Sequence, residues 1–262
     1  MTLSSRPALI VASAAMAFTV TLTGCSDTGS SAGSETTTAG SSSNTDPAAL
    51  VSSAAEDSKN LTTNHFELAT TGKIPDLPVT KVSGDLQNKP TVAAKGTATV
   101  NAGSTVEAKF VFIDGRMYAD LTGGRFADYG KGDSIYDVTA LFDPNKGIPN
   151  ILAKLKNPKS AGSETIDGQA TEKITGTVPA SDIAAISGSR VTTEGANTAI
   201  PTTVWIAPNG DKHLVRISVI PVKDATLAVT FSRWGAPVTV TKPNVAPAAP
   251  AQGGDQKSLA GK

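Results

Sequence analysis

The sequence is poor in the residues that build covalent or metal-bound frameworks. It has one cysteine, two histidines and three methionines among 262 residues. A single cysteine excludes an internal disulfide, and His65 and His213 are too far apart in sequence to form a metal-binding motif. We interpret both histidines as surface or hydrogen-bonded residues and predict neither a metal ion nor a cofactor. The folded domain must therefore be held together by its apolar core.

Charge of one sign and catalytic signatures are lacking as well. The chain has 23 basic and 23 acidic residues without a basic cluster, so we predict no nucleic-acid partner. Phosphate-cradling loops, dinucleotide fingerprints and the H-E-x-x-H motif are absent from the sequence. Residues 29–33 match G-x-S-x-G, but they lie in a Ser/Gly-rich stretch that cannot form the required strand-to-helix turn. We predict that the protein is not an enzyme.

The N-terminus has an apolar stretch but not a membrane span. Residues 8–22 are largely apolar, and 15 residues suit a signal peptide better than a transmembrane helix. They follow a polar start that carries Arg6 and end in Leu-Thr-Gly-Cys, residues 22–25, which is a lipobox. Small side chains fit the signal peptidase cleft, and the cysteine thiolate accepts a diacylglyceryl group. We predict that residues 1–24 are removed and that Cys25 is lipidated.

Lipidation determines where the mature chain resides. One acyl chain gives marginal membrane binding, whereas two give stable attachment, so a diacylated Cys25 is a sufficient anchor. We predict an exported protein on the outer face of the plasma membrane. Residues 25–45 are rich in Ser, Thr and Gly and are expected to form a flexible tether, and residues 244–262 are expected to form a disordered tail. Residues 46–243 remain for one domain.

The domain begins with a helical pattern and continues with strands. Asp46-Pro47 is typical of a capped helix start, and apolar spacing predicts a helix over residues 47–60. Further helices are expected at 138–142, 149–156 and 180–186. Alternation predicts eleven strands, at residues 65–70, 79–86, 92–100, 105–113, 116–121, 164–166, 170–176, 202–207, 213–220, 226–232 and 238–241.

Three dipeptides are expected to close two-residue hairpins in this domain: Asp114-Gly115, Asp167-Gly168 and Asn209-Gly210. Strands that follow one another through short turns pair antiparallel. The sequence therefore predicts the α+β class, with one large antiparallel sheet and a few helices separate from it.

Strand alternation also selects residues that face an apolar interior. The inward positions of two strands are Val106, Ala108, Phe110 and Phe112, and Leu227, Val229 and Phe231. We expect the helical residues Leu141, Phe142, Ile151, Leu152 and Leu155 to cover them. Periodicity does not distinguish a filled core from an apolar cavity at this place. Trp205 and Trp234 are packing anchors or line a ligand site.

Several segments, taken together and in order, resemble the mycobacterial LppX/LprA/LprF/LprG lipoproteins. They are residues 72–75 (Gly-Lys-Ile-Pro), 79–86, 108–118, 134–137, 141–147, 201–206 and 234–238. The resemblance implies a half-barrel: a single curved sheet with helices over its concave face. It also implies an apolar cavity, lined by the twelve residues named above, that holds the acyl chains of lipids or glycolipids.

The resemblance implies lipid transfer across the cell envelope by a monomer. An envelope transporter is an expected partner, and host innate receptors are expected to recognise the acylated form. Two other functions remain open. The protein is alternatively a tethered structural or signalling module with a solid core and a protein partner. An envelope hydrolase is the third hypothesis.

Overall fold

A computed structural model of the chain describes residues 46–75, 77–101, 103–132, 138–187 and 195–245. All of them belong to one compact unit. The predicted signal peptide, Cys25 and the tether lie outside the described residues, as do residues 246–262 of the predicted tail and residues 134–137 of the family resemblance. Those predictions remain predictions.

The first helix has the predicted bounds. Helix α1 (Pro47–Asn60) follows Asp46, whose carboxylate accepts a hydrogen bond from the backbone N–H of Ala48 at 3.0 Å. Proline at the first helical position lacks an N–H that would be unpaired there in any case. The side chains that α1 buries are Leu50, Val51, Ala54, Ala55 and Ser58. Capping and amphipathic spacing thus explain both the start of α1 and its orientation.

One sheet of eleven strands forms the rest of the scaffold. The strands are β1 (Thr63–Thr71), β2 (Val79–Gln87), β3 (Ala93–Asn101), β4 (Thr105–Ile113), β5 (Arg116–Asp120), β6 (Ala127–Lys131), β7 (Lys156–Ile166), β8 (Gln169–Pro179), β9 (Ala199–Ile206), β10 (Leu214–Val222) and β11 (Ala225–Ser232). Their order is β6-β5-β4-β3-β2-β1-β11-β10-β9-β8-β7, and all neighbours pair antiparallel. The sheet is open, with β6 and β7 at its edges.

Short helices interrupt the strands at two places. A 3-10 helix (Val138–Phe142) leads into α2 (Ile148–Ala153), and α3 (Ala180–Ser187) follows β8. The prediction for residues 149–156 was therefore too long at its end. Among the described residues, no helix is both long and apolar enough to cross a bilayer.

The two edge strands were the ones that the sequence pattern missed. Strand β7 was predicted only at residues 164–166, and β6 was not predicted at all. Most of their side chains are exposed on both faces, so neither strand shows apolar alternation. Asn157 and Gly162 have positive φ angles where the β7–β8 register shifts. Such irregularities are typical of edge strands, because they discourage further pairing.

Two of the three predicted hairpin turns are confirmed. Both residues have positive φ in Asp114-Gly115 and in Asp167-Gly168, as a tight hairpin between twisted strands requires. Asn209-Gly210 is different, because Gly210 has a positive φ but lies within the longer connection between Ile206 and Leu214. The prediction of a two-residue turn there was wrong.

The predicted strand at residues 238–241 was also wrong. Residues 236–245, here called the C-terminal segment, cross the sheet instead of joining it. Lys95 Nζ donates to the carbonyl oxygen of Thr239 at 2.8 Å, and Lys242 Nζ lies 5.7 Å from the ring centre of Tyr118. An isolated bridge joins Val245 to Phe126 of the β5–β6 connection. Alternation in this segment reflects packing across strands rather than pairing along one.

One core cluster lies on the helix-covered face of the sheet. It includes Phe112 of β4, Met117 of β5 and Val178 of β8, together with buried side chains of α1, α2 and α3. Helix α1 contacts β7 and β9, and α3 contacts β8. We call this helix-covered side the concave face of the sheet and the opposite side its convex face.

Candidate functional site

The concave face has a region beneath the helices that is tightly filled. We call it the packed cluster, and its members are Leu141, Phe142, Ile151, Leu152, Leu155, Leu227, Val229 and Phe231. All are buried, and Ile151 has no exposed surface. The rings of Phe142 and Phe231 meet edge to face at 5.8 Å. Leu155 packs on Gly176 of β8 so closely that a Cβ there would lie 3.0 Å from the leucine.

The space beside this cluster is too small for a lipid chain. A cavity of about 10 Å³ lies between the end of α1 and the sheet, lined by Leu61, His213, Trp234 and members of the cluster. That volume matches a water molecule at most. Helices and sheet are therefore in direct contact here, and an acyl chain between them would require side chains to move.

A second region of the same face is apolar but only partly covered. We call it the apolar strip, and its members are Leu68, Val82, Ala98, Val100, Val106 and Phe110. Leu68, Val82, Ala98 and Ala108 are directly paired from β1 to β4. This row spans roughly 14 Å at the usual strand spacing. None of the residues that face this side on β1 to β4 is ionisable.

Two glycines sit where the strip meets the packed cluster. Phe66, Gly84, Gly96 and Phe110 are paired in one row across β1 to β4. A Cβ at Gly84 would lie 3.3 Å from both phenyl rings, so the rings lie over the glycines. A Cβ at Gly96 would lie 2.2 Å from the carbonyl oxygen of Ser83. The glycines thus allow β2 and β3 to lie close together. The rings of Phe66 and Phe110 pack on the flat surface that the glycines leave.

One polar side chain, Asn64, is buried near the N-terminal end of β1. Asn64 is 1% exposed, and neither its amide nitrogen nor its amide oxygen has a hydrogen-bond partner among the described residues. A cavity of about 30 Å³ adjoins it, lined by His65, Asp85, Arg233 and residues 236–238. A buried amide without a partner is unfavourable by about 1–3 kcal/mol. Asn64 is therefore a polar group able to hold a small polar molecule, but the cavity does not admit a chain.

The convex face carries a contact pattern that resembles a catalytic triad. Ser83 Oγ is 3.4 Å from His65 Nε2, and His65 Nδ1 is 2.8 Å from Asp85 Oδ1. Arg233 donates to Asp85 at 2.7 Å and also contacts His65 Nδ1. Acyl transfer needs N–H donors aimed at an oxyanion, whereas β1 and β2 pair on both sides and commit their N–H groups to the sheet. The arrangement is an ion-pair network, and it gives His65 the partners expected from the sequence.

Both tryptophans lie at packing positions. The indole N–H of Trp205 donates to Glu164 at 2.8 Å, and this bond, with Lys173 nearby, lowers the pKa of the Glu164 carboxyl below its usual value. Lys173 and Arg216 lie over the same indole ring. Trp234 stacks on His213 with ring centres 4.8 Å apart. Within the described ranges no three acidic, histidine or cysteine side chains are grouped to hold a metal ion.

Eight of the twelve residues expected to line a cavity, those from the helices and β11, are members of the packed cluster. The other four lie on β4. Phe112 is buried in the same core, whereas Val106 and Ala108 do not belong to it. Val106 and Phe110 are partly exposed members of the strip, and Ala108 is buried in the paired row beside it.

The strip members on β1, β2 and β3 were not predicted from the sequence. Small residues on these strands, such as Gly96 and Ala98, give a weak apolar pattern. The signal that could have found them is register. Counting back from Phe110 through the β3–β4 turn places Gly96 opposite it.

The chain is similar to known proteins over most of its length. It matches the sequence profile of the LppX_LprAFG lipoprotein family at residues 46–240. It is 47% identical over 234 residues to lipoprotein LprA of Mycobacterium tuberculosis, covering 88% of this chain and 95% of that protein. It is 37% identical over 202 residues to the lipoarabinomannan carrier protein LprG of Mycobacterium leprae, covering 76% of this chain and 83% of that protein.

Solved structures show the same fold. The crystal structure of LprF from Mycobacterium bovis superposes with a TM-score of 0.66 at 26% identity, over 75% of this chain and 96% of LprF. The crystal structure of LppX from Mycobacterium tuberculosis gives 0.57 at 31% identity, over 75% and 100%. These two structures and this one therefore share the same overall fold. The chain belongs to the LppX_LprAFG lipoprotein family.

Proposed function

We propose that the protein binds the acyl chains of lipids or glycolipids on its concave face and helps to transfer them across the cell envelope. The apolar strip is the observation that carries this proposal. It joins several strands into one surface, carries no ionisable side chain and remains partly exposed in a family whose LprG members are named lipoarabinomannan carriers. Cys25, acylated on the outer face of the plasma membrane, would keep the carrier beside its lipid source. Host innate receptors would recognise the same acylated terminus.

The energetics suit a carrier. Each buried CH₂ group contributes about 0.8 kcal/mol, so a long chain is held by the sum of many small and non-specific contributions. A membrane offers nearly the same stabilisation, and exchange between the two is close to balanced. No energy source is then required at the site. Because the strip has no charge, polar groups at its margin would have to distinguish one lipid from another.

The packed cluster favours a second candidate function. Its dense packing is what a tethered structural module with a solid core requires. In that case a protein partner, and not a lipid, would use the surface. The two functions predict different results for the purified chain, because a carrier should hold bound lipid and a solid module should not.

The test uses the chain from Ser26 to Lys262, which lacks only the leader and the acylated cysteine. We expect native mass spectrometry to find bound lipid after expression in a lipid-rich actinobacterial host. Ala98→Trp places a bulky apolar side chain in the strip and should reduce bound lipid about tenfold or more, with little change in melting temperature. Thr99→Trp is the matched control, because Thr99 is the next residue on β3 and faces the convex side.

Each result decides between the functions. Lipid on the parent chain and on Thr99→Trp, but not on Ala98→Trp, supports a carrier that uses the strip. Lipid retained by Ala98→Trp shows that the ligand binds elsewhere. A parent chain without lipid, from this host and after incubation with lipid micelles, overturns the carrier function in favour of the solid module.

A further inference from the structure

Two exposed apolar residues lie two positions apart in the sequence at one end of the sheet. Ile220 is 44% exposed and Val222 is 38% exposed, and both precede the turn between β10 and β11. Exposed apolar residues that occur singly need no explanation, whereas contiguous apolar patches with a polar margin mark surfaces that meet a partner or a membrane. The register of β10 against β11 shifts between Val219 and Val222, so a bulge lies between these residues, and Val222 still pairs with Ala225.

A second turn packs against this one. A Cβ on Gly72, just after β1, would lie 2.3 Å from the carbonyl oxygen of Asp224, so the two turns are in close contact. Each turn carries an exposed lysine, Lys73 in one and Lys223 in the other. We call Lys73, Ile220, Val222 and Lys223 the rim.

The rim lies at the end of the sheet where the apolar strip is exposed. Thr71, the last residue of β1, pairs with Thr226 at the start of β11. Val100 and Val106 of the strip flank the β3–β4 turn at this same end. At the opposite end the concave positions of these strands, such as Leu86 and Ala94, are buried. A surface that contacts the rim therefore meets the strip at its exposed end.

Charge at the rim points to apolar rather than electrostatic attachment. The two rim lysines, Lys73 and Lys223, are partly offset by Asp224, which directly follows Lys223 and is exposed. The excess of one positive charge is small. Lysines beside apolar residues can extend their charged ends toward headgroups while their methylene stems remain in contact with apolar atoms.

The length of the preceding chain brings a bilayer within reach. Twenty residues, 26–45, separate Cys25 from Asp46. Such a chain spans at most about 70 Å, and a strand of nine residues is about 30 Å long. An anchor at Cys25 therefore permits the rim to touch the same membrane from any orientation of the domain.

We propose that the rim docks on a lipid bilayer, with Ile220 and Val222 entering the interface and Lys73 and Lys223 at headgroup level. This rests on the proposed lipid carrier function and names the partner surface of that site. Docking places the exposed end of the strip against the membrane from which an acyl chain must come.

The experiment measures sedimentation of the chain from Ser26 to Lys262 with vesicles of phosphatidylcholine, and with vesicles containing phosphatidylglycerol. We expect the double variant Ile220→Asp/Val222→Asp to bind about tenfold less to both kinds. In the double variant Lys73→Gln/Lys223→Gln, vesicle affinity should fall by no more than about fivefold per lysine. We expect this fall only with the vesicles that contain phosphatidylglycerol. Tyr129→Asp and Lys89→Gln are the controls, since Tyr129 is equally exposed on β6 and Lys89 lies in the β2–β3 turn at the opposite end.

Bound lipid is measured on the same samples. Docking is supported if the Ile220→Asp/Val222→Asp variant keeps the parent melting temperature, accepts lipid from micelles, and exchanges it slowly with vesicles. A parent chain that carries lipid but does not sediment overturns docking and leaves the carrier function intact. A parent chain that carries no bound lipid overturns the carrier function itself. A third result would overturn docking in another way: the parent chain forms a dimer and does not bind vesicles, and the Ile220→Asp/Val222→Asp variant is a monomer. The rim would then be the contact between two copies of the chain.

Discussion

The packed cluster and the apolar strip occupy the same face of the same sheet and are built from the same kinds of residue. They differ in what covers them. The ring of Phe142 meets Phe231 of β11 and Ile151 has no exposed surface, whereas Leu68 and Val82 on β1 and β2 keep part of their surface exposed. The first region supplies stability, and the second is the surface that we propose for the ligand. Strand alternation marks both as apolar, and only the placement of the helices separates them.

The two faces of the sheet are covered in complementary places. Helices lie on the concave side of β7 to β9, while the C-terminal segment crosses the convex side of β3 to β5. Tyr118 and Val111 are buried on that convex side. The strands that carry the strip are thus supported from behind, which leaves their concave side available.

Leucine-to-alanine changes in the two regions should have the most unequal effects. Leu152→Ala removes a side chain that is 1% exposed, and should lower the free energy of unfolding by about 2–5 kcal/mol. Leu68→Ala removes the same atoms from the strip and should cost less than half as much, because part of that surface already meets water. Urea denaturation of both variants measures the difference. Equal losses would show that the strip is as tightly covered as the cluster.

The sequence was sufficient for the scaffold because half-buried strands have a strong pattern. The bounds of β4 and α1 were predicted as observed, since alternation and capping are local properties. Strands β6 and β7 were missed because edge strands exposed on both faces have no reason to alternate. The C-terminal segment was taken for a strand because an apolar alternation also suits a chain that crosses a sheet.

The site was less predictable than the scaffold. Periodicity identified the apolar face but could not show which part of it the helices cover. That depends on contacts between distant residues, such as Asn150 Nδ2 and Asp182 Oδ1 at 2.9 Å between α2 and α3. Gly84 and Gly96 gave no sequence signal of their own, because their importance comes from Phe66 and Phe110 on neighbouring strands.

A methyl group at the junction of the two regions should have an intermediate effect. Gly96→Ala adds a Cβ that would lie 2.2 Å from the Ser83 carbonyl oxygen and 2.7 Å from the Gly84 Cα. Backbone atoms must move to admit it, and overpacking of this kind costs about 1–3 kcal/mol. Gly124→Ala is the control, because a Cβ there meets no atom within 4 Å and the residue does not have a positive φ. Thermal unfolding that does not distinguish the two variants would mean that β2 and β3 are not so closely apposed in solution.

The smallest effect is expected on the convex side, behind the packed cluster. Trp205→Phe keeps an aromatic ring but removes the N–H that donates to Glu164, so the pKa of the Glu164 carboxyl should rise toward its usual value. In the folded parent that pKa is lowered. The bond therefore stabilises the fold above the ordinary glutamate pKa, and this contribution is lost as the pH falls through the folded-state value. The stability difference between parent and variant should shrink accordingly in acid.

Carboxyl carbon shifts of Glu164, followed by NMR against pH, measure this change directly. Lys173→Met is the matched control, because Lys173 also lowers the Glu164 pKa and the indole bond is the largest single cause, so we expect the smaller rise from this variant. If Trp205→Phe leaves the Glu164 pKa unchanged, the indole bond does not form in solution. A Trp205→Phe variant that also loses bound lipid would show that the packed cluster and the strip respond to the convex side together, and their separation as a stabilising and a binding region would no longer hold.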